Sequence, residues 1–242
     1  MLDTHCHIDL YKNPKAILDI CENNGITVFS MTNLPSHFEM GFPFFQSKKY
    51  LRIALGMHPL YATQHNNEFS KFELNLSKTS YIGEIGLDFS REGIVTKNLQ
   101  YASFNRILKL VSDKKKILSL HSRKAEKEVL ELLMKYKIQS AIFHWYSGSL
   151  GLIREISEAG YFFSINSAMI KSVSGKKIIS KIPKHLVLPE TDGPFISVGG
   201  RTVMPGDVDD VLVYLSNIWE ISFDETRMLM KSNFRNLTNT LK

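Results

Sequence analysis

Eight short apolar runs, rich in β-branched residues, recur along the chain at a fairly regular interval. They are Leu2–His7, Ile26–Thr32, Leu51–Met57, Tyr81–Leu87, Ile117–His121, Ala141–His144, Tyr161–Ile165 and Leu186–Pro189. None alternates cleanly between apolar and polar, so each suits a parallel strand buried on both faces. Helical patterns lie between most of them. Lys97–Asp113 sets Leu99, Phe104, Ile107, Leu108 and Val111 on one stripe, and Glu126–Tyr136 repeats this with Val129, Leu130, Leu132 and Leu133. Local punctuation agrees. Asn13-Pro14 suits a capped helix start, Gly25 and Gly160 suit helix ends, and Ser222 to Glu225 reads as a capping box.

Strand–helix alternation repeated eight times predicts an α/β fold, a (β/α)8 TIM barrel, over residues 1–242 as a single domain. A doubly wound open sheet is the competitor, and it collects its ligand at one crevice where strand order reverses. Here polar residues close the first, third, fourth, fifth, sixth and eighth runs. Only a closed ring brings all those ends together.

Those ends carry potential metal ligands. On an extended strand alternate residues face one side, so Asp3, His5 and His7 point together. Glu84 lies in Ile82-Gly83-Glu84-Ile85-Gly86-Leu87-Asp88. A carboxylate between isoleucines on a central strand is costly to bury without compensation, and a metal supplies it. The alternative is an Arg or Lys partner. His121 and His144 each end an apolar run, and Asp192 follows the last one in Glu190-Thr191-Asp192-Gly193-Pro194. Any one of these residues has an ordinary explanation, as a satisfied core histidine or a turn aspartate. Six N and O donors at equivalent places point to a two-metal hydrolytic centre with Glu84 as bridge and Asp192 as proton acceptor. His58, which closes the third run, is assigned to substrate phosphate or to support of the ligands.

With a net charge of +6 the chain is mildly basic, which is compatible with a polyanionic substrate. Arg91, Arg123 and Arg201 follow predicted strands and are expected on the active face, where they would hold phosphates. Trp145 and Tyr146 could stack a terminal base or simply pack against the next helix. Lys114-Lys115-Lys116 precedes a strand and belongs to the opposite end of the barrel. Two cysteines suggest no disulfide framework, and no signal peptide or membrane-spanning run is expected, so a reducing, cytoplasmic setting is the plain reading.

Taken in order, Asp3-Thr4-His5-Cys6-His7-Ile8-Asp9, Gly56-Met57-His58-Pro59, Ile82 to Asp88, His121-Ser122-Arg123, His144 with Ser147-Gly148, and Glu190-Thr191-Asp192 resemble the TatD family of metal-dependent deoxyribonucleases, among the amidohydrolase-like barrels. The resemblance is collinear from Leu2 to about Leu237. It implies 3′-to-5′ exonuclease activity on single-stranded DNA or RNA with two divalent ions, Mg, Mn or Zn. It also implies a division of ligands: His5, His7 and Asp192 on one ion, His121 and His144 on the other, Glu84 between. The chain departs from the family at Trp145-Tyr146, at Gly193-Pro194 and along Arg201 to Val208. These departures touch the rim and leave the ligands intact. They are compatible with a specialised branch, such as the members found in bacterial anti-phage (Qat-type) operons, whose other subunits would then be partners. The same barrel and ligands would also serve an amidohydrolase or an aminoacyl-tRNA deacylase, and a non-catalytic subunit of a defence complex could retain the site.

Overall fold

A computed structural model describes residues 1–242. The chain opens with β1 (Leu2–Cys6), α1 (Pro14–Asn23), β2 (Thr27–Ser30) and α2 (Pro35–Phe45). The third stave of the barrel is divided into β3 (Leu51–Ile53) and β4 (Leu55–Met57), followed by α3 (His65–Asn75). Then come β5 (Tyr81–Gly86), α4 (Lys97–Val111), β6 (Ile117–His121), α5 (Glu126–Lys135), β7 (Ala141–His144), α6 (Leu150–Glu158) and β8 (Phe162–Ile165). Two short helices, α7 (Ser167–Lys171) and α8 (Val173–Ile179), precede β9 (Val187–Pro189). A small hairpin of β10 (Ser197–Val198) and β11 (Arg201–Thr202) leads to α9 (Asp209–Trp219) and α10 (Phe223–Asn239).

Every ladder around the barrel is parallel, in sequential order from β1 to β3 and from β4 to β9. This is a (β/α)8 barrel, as the alternation predicts. The expected single strand Leu51–Met57 is broken at Ala54. Its first half pairs with β2 and its second half with β5. Past the break, the backbone of Thr32 bonds directly to Gly83 and Glu84 at 3.2 and 3.1 Å. Gly56 permits this close approach, because a Cβ there would lie 1.6 Å from the Thr32 carbonyl oxygen.

The ring closes between β1 and the end of β9. Asp192 N–H donates to His5 O at 2.9 Å, His7 N–H to Gly193 O at 2.7 Å, and the Thr4 hydroxyl to Pro189 O at 3.0 Å. Asp3 was expected to point with His5 and His7 toward the site. Its carboxylate instead accepts from Thr191 N, Thr191 Oγ1, Gly206 N and His5 N, so it staples the closure.

Helix caps follow the local chemistry. Asn13 accepts from Ala16 N, with Pro14 at the first turn, and Ser222 and Glu225 form a reciprocal capping box. One contiguous apolar core runs from Leu2 to Leu237. Beneath the barrel Phe29 packs on Tyr81 and on Phe234 of α10, with centroids 4.2 and 5.4 Å apart. Asn233 of α10 donates to the carbonyls of Lys184 and Val187, both at 2.8 Å. The lower end is therefore sealed. Lys116 lies at this end, donating to Leu76 O and Thr79 O in the connection before β5.

Candidate metal centre on the active face

The strands deliver their polar ends to one place. Glu84, only 3 % exposed, stands at the centre of five imidazoles. Its Oε1 lies 2.6 Å from His121 Nδ1, 3.2 Å from His144 Nε2 and 3.3 Å from His58 Nε2. Its Oε2 lies 3.2 Å from His7 Nε2 and 3.5 Å from His5 Nε2. Asp192 Oδ1 closes the near side, 3.7 and 3.9 Å from the same two nitrogens. The six residues singled out in the sequence are thus gathered in one cluster, and His58 stands with them.

The donor set tests whether cations fit. Satisfying Glu84 by hydrogen bonds alone would need an N–H from all five rings, and His121 and His144, whose other nitrogens face Asp88 and Glu190, would then both be imidazolium, in one cluster and out of water. That is a costly arrangement. His5 Nε2 and His7 Nε2 face each other at 3.3 Å, while His5 Nδ1 is already engaged with Ser119 Oγ at 2.8 Å. Four of the rings can resolve this by turning lone pairs inward to divalent cations, whereas His58, whose Nδ1 accepts from Leu60 N–H at 3.2 Å, keeps its proton on Nε2 toward Glu84 when neutral. Donor atoms lie close enough to share an ion in the sets His5–His7–Glu84, His5–His144–Asp192 and His58–Glu84–His121. His144 stacks on His5 at 3.8 Å between centroids, and His58 lies beside Glu84 and His121, where its Nε2–H can support the Glu84 carboxylate.

Carboxylates hold the far sides of two rings. Asp88 Oδ2 lies 2.7 Å from His121 Nε2, and Glu190 Oε1 lies 3.5 Å from His144 Nδ1. Glu190 is fully buried and accepts from Asn166 Nδ2 at 2.8 Å and from the Ser164 hydroxyl. The cluster forms the floor of a cavity of about 570 Å³.

A model of the family described as TatD-related DNase matches residues 2–239. The chain belongs to that family. It is 25% identical to an uncharacterised metal-dependent hydrolase of Methanocaldococcus jannaschii, over 96% of this chain and 94% of that protein. It is 23% identical to the deoxyribonuclease TATDN3 of Homo sapiens, over 93% and 89%. The crystal structure of YJJV, a TatD homologue from Escherichia coli, superposes with a TM-score of 0.87 at 23% identity, covering 100% of this chain and 97% of that one. This TatD-family chain is a metal-dependent hydrolase.

In the TatD-family site the electrostatics separate two carboxylates. Burial pushes Glu84 up, but the charges of His58 and His144 and the contact with His121 outweigh it and hold Glu84 well below its usual range. Burial pushes Asp192 up to about 7, against the pull of His144 and His7. Asp192 also sits at φ 48°, in the left-handed region, so the chain turns sharply there and presents the carboxylate inward.

The rim divides the remaining expectations. Arg123 and Trp145 line the cavity. Trp145 takes φ 39°, a conformation an aromatic residue rarely adopts, and is 37 % exposed. That reversal sends Tyr146 inward, so of the two roles expected for it the structure shows packing and not base stacking. Tyr146 is 1 % exposed, its hydroxyl donates to Ser149 O at 2.7 Å, and its ring packs on Phe163 at 5.5 Å. Arg91 is exposed but does not line the cavity. Arg201, on β11, also stands off the cavity and pairs with Asp207 at 2.8 Å.

The cavity has walls that the sequence reading missed, namely Asn33, Tyr61, Ser122 and Phe195. Asn33 and Ser122 were within reach of the rule that found the ligands, since each lies just past an apolar run. Phe195 and Tyr61 lie in connections with no such marker.

Proposed function

We propose that this enzyme hydrolyses the phosphodiester bonds of single-stranded DNA from a 3′ end, using two divalent ions. The observation that carries the reading is the position of Glu84. One oxygen faces His5 and His7, and the other faces His58, His121 and His144, so a single buried carboxylate serves two adjacent donor groups. Two neighbouring cation positions suit phosphodiester hydrolysis, where both the attacking and the leaving oxygen carry charge. The human relative, the deoxyribonuclease TATDN3, supports the same substrate class.

Bound divalent ions would polarise the phosphate and make water a stronger acid. The chain's own residues do the rest. Asp192 accepts the proton from the water that attacks phosphorus. The Arg123 guanidinium and the Ser122 hydroxyl, both on the cavity wall, hold phosphate oxygens. Trp145, partly exposed at the mouth, stacks a base.

The test uses 5′-labelled single-stranded DNA beside a circular single strand, with Mn²⁺, with Mg²⁺ and with EDTA. The expected outcome is a descending ladder from the linear substrate, an intact circle, and silence with EDTA or with Asp192→Asn. Cleavage of the circle at the same rate, or full turnover by Asp192→Asn, would overturn the reading.

A further inference from the structure

Asp88 is fully buried at the start of the connection after β5, and both of its oxygens are committed. Oδ1 accepts from Ser90 N–H at 2.7 Å, while Oδ2 lies 2.7 Å from His121 Nε2. The other ring nitrogen of His121, Nδ1, points at Glu84 Oε1. We infer that Asp88 is a positioning residue that fixes the tautomer of His121, holding the proton on Nε2 so that Nδ1 offers a lone pair to the cation site. The inference rests on the reading of His121 as a metal ligand.

The physical argument is one of proton count. A neutral imidazole has one N–H and one lone pair, so whichever nitrogen donates leaves the other as the ligand. A carboxylate can only accept. Glu84 Oε1 makes the same demand on Nδ1 at 2.6 Å, so the choice is decided when a cation occupies Glu84: Asp88 then claims Nε2–H, and Nδ1 is left to bind. His144 shows the opposite orientation. Its Nε2 faces Glu84, and its Nδ1 has Glu190 as the carboxylate on its far side. Two of the three rings facing Glu84 Oε1, His121 and His144, thus use different nitrogens, and each has an acidic residue behind it.

The lock at Ser90 makes the inference unusually testable. In Asp88→Asn the amide has two possible orientations. Ser90 N–H demands an acceptor, so the amide oxygen takes the Oδ1 position and the NH₂ takes the Oδ2 position. The NH₂ then faces His121 Nε2 as a donor. His121 must answer with a lone pair on Nε2, which moves its proton to Nδ1, directly toward Glu84 and the ligand position. Asp88→Ala removes the carboxylate without dictating a tautomer. The near-isosteric variant should therefore be the worse one, the reverse of what a packing role or a loss of negative charge alone predicts.

The experiment has two readouts that do not require substrate. Nitrogen-15 spectra of ring-labelled histidine, in protein loaded with a diamagnetic divalent cation such as Zn²⁺, report the tautomer directly. Wild type should show His121 as Nε2–H, and Asp88→Asn should show it as Nδ1–H. Calorimetric titration with Mn²⁺ should show about 10-fold weaker binding for Asp88→Ala and about 100-fold for Asp88→Asn. Thermal unfolding of the chelated variants checks that both are folded. Equal or tighter Mn²⁺ binding by Asp88→Asn than by Asp88→Ala would overturn the inference, as would a wild-type His121 protonated on Nδ1. If the enzyme cleaves some other ester, neither readout changes, so failure of the substrate assignment is separable from failure here.

Discussion

Gly86 offers a direct test of how tightly the barrel holds its ligands. Its φ is +139°, a region open essentially to glycine alone, and it pairs in register with His121 across β5 and β6. A Cβ at this position would stand 1.9 Å from the His121 carbonyl oxygen, whereas real Cβ contacts stay beyond 3.0 Å. Gly86→Ala must therefore move one backbone or the other by about 1 Å (3.0 − 1.9). The His121 carbonyl is pinned, because it accepts the Leu87 N–H at 3.0 Å. Backbone strain of about 1–3 kcal/mol and a weakened hydrogen bond of about 1 kcal/mol give a loss of about 2–4 kcal/mol. At this chain length that lowers the melting temperature by about 5–15 °C. A displacement of about 1 Å at His121 should also cost turnover about 100-fold, since reacting groups must be held to a fraction of an ångström. The control is Gly160→Ala. There φ is +78° with open space around the added methyl, so it carries strain without collision and lies far from the cavity. Scanning calorimetry and Mn²⁺-dependent cleavage of end-labelled DNA check both variants. The reasoning is refuted if Gly86→Ala melts no lower than Gly160→Ala and turns over within about 3-fold of wild type.

Chelation with EDTA should lower the melting temperature by about 8 °C or more relative to protein in metal at about a thousand times its dissociation constant, a linkage of about 4 kcal/mol, and Glu84→Gln should erase most of that difference in differential scanning fluorimetry. Trp145→Ala should raise KM for single-stranded DNA about 10-fold with little change in melting temperature, whereas Tyr146→Ala should cost about 3 kcal/mol or more of stability, because its ring is core. Burial holds His65 down to about 4 from 6.5, with its Nε2–H donating to His58 O at 3.0 Å. A lowered histidine value contributes stability that is full above about 6.5 and lost as pH falls toward about 4. Urea titrations across that window should lose up to about 3 kcal/mol from this group, and His65→Gln, which keeps a donor, should flatten the slope.

The donor cluster was legible because each donor interrupts or ends an apolar run. Glu84 between Ile82 and Ile85, and His144 after Phe143, have no reason to be there in a packed strand, and eight repeats of strand and helix leave one face on which they can meet. That much follows from residue type and period, which act locally and are written in the chain itself. The rest depended on atoms far apart in sequence. Alternation along a strand says which side a residue faces only while the backbone stays extended. Just past the strand end a single left-handed residue, Trp145, reverses the pattern, so Trp145 looks into the cavity and Tyr146 into the core. Asp3 was read as a companion of His5, but tertiary closure supplied Thr191 and Gly206 as donors and drew it to them. His58 came within 3.3 Å of Glu84 because the third stave breaks at Ala54 and Gly56 lets Thr32 bond straight to β5. Which nitrogen of His121 faces the site depends on Asp88, and the orientation of Asp88 depends on the amide of Ser90. Periodicity names the donors. Only the folded backbone decides which of their atoms share a cation, because that depends on distances of a few tenths of an ångström between strands that are remote in the chain.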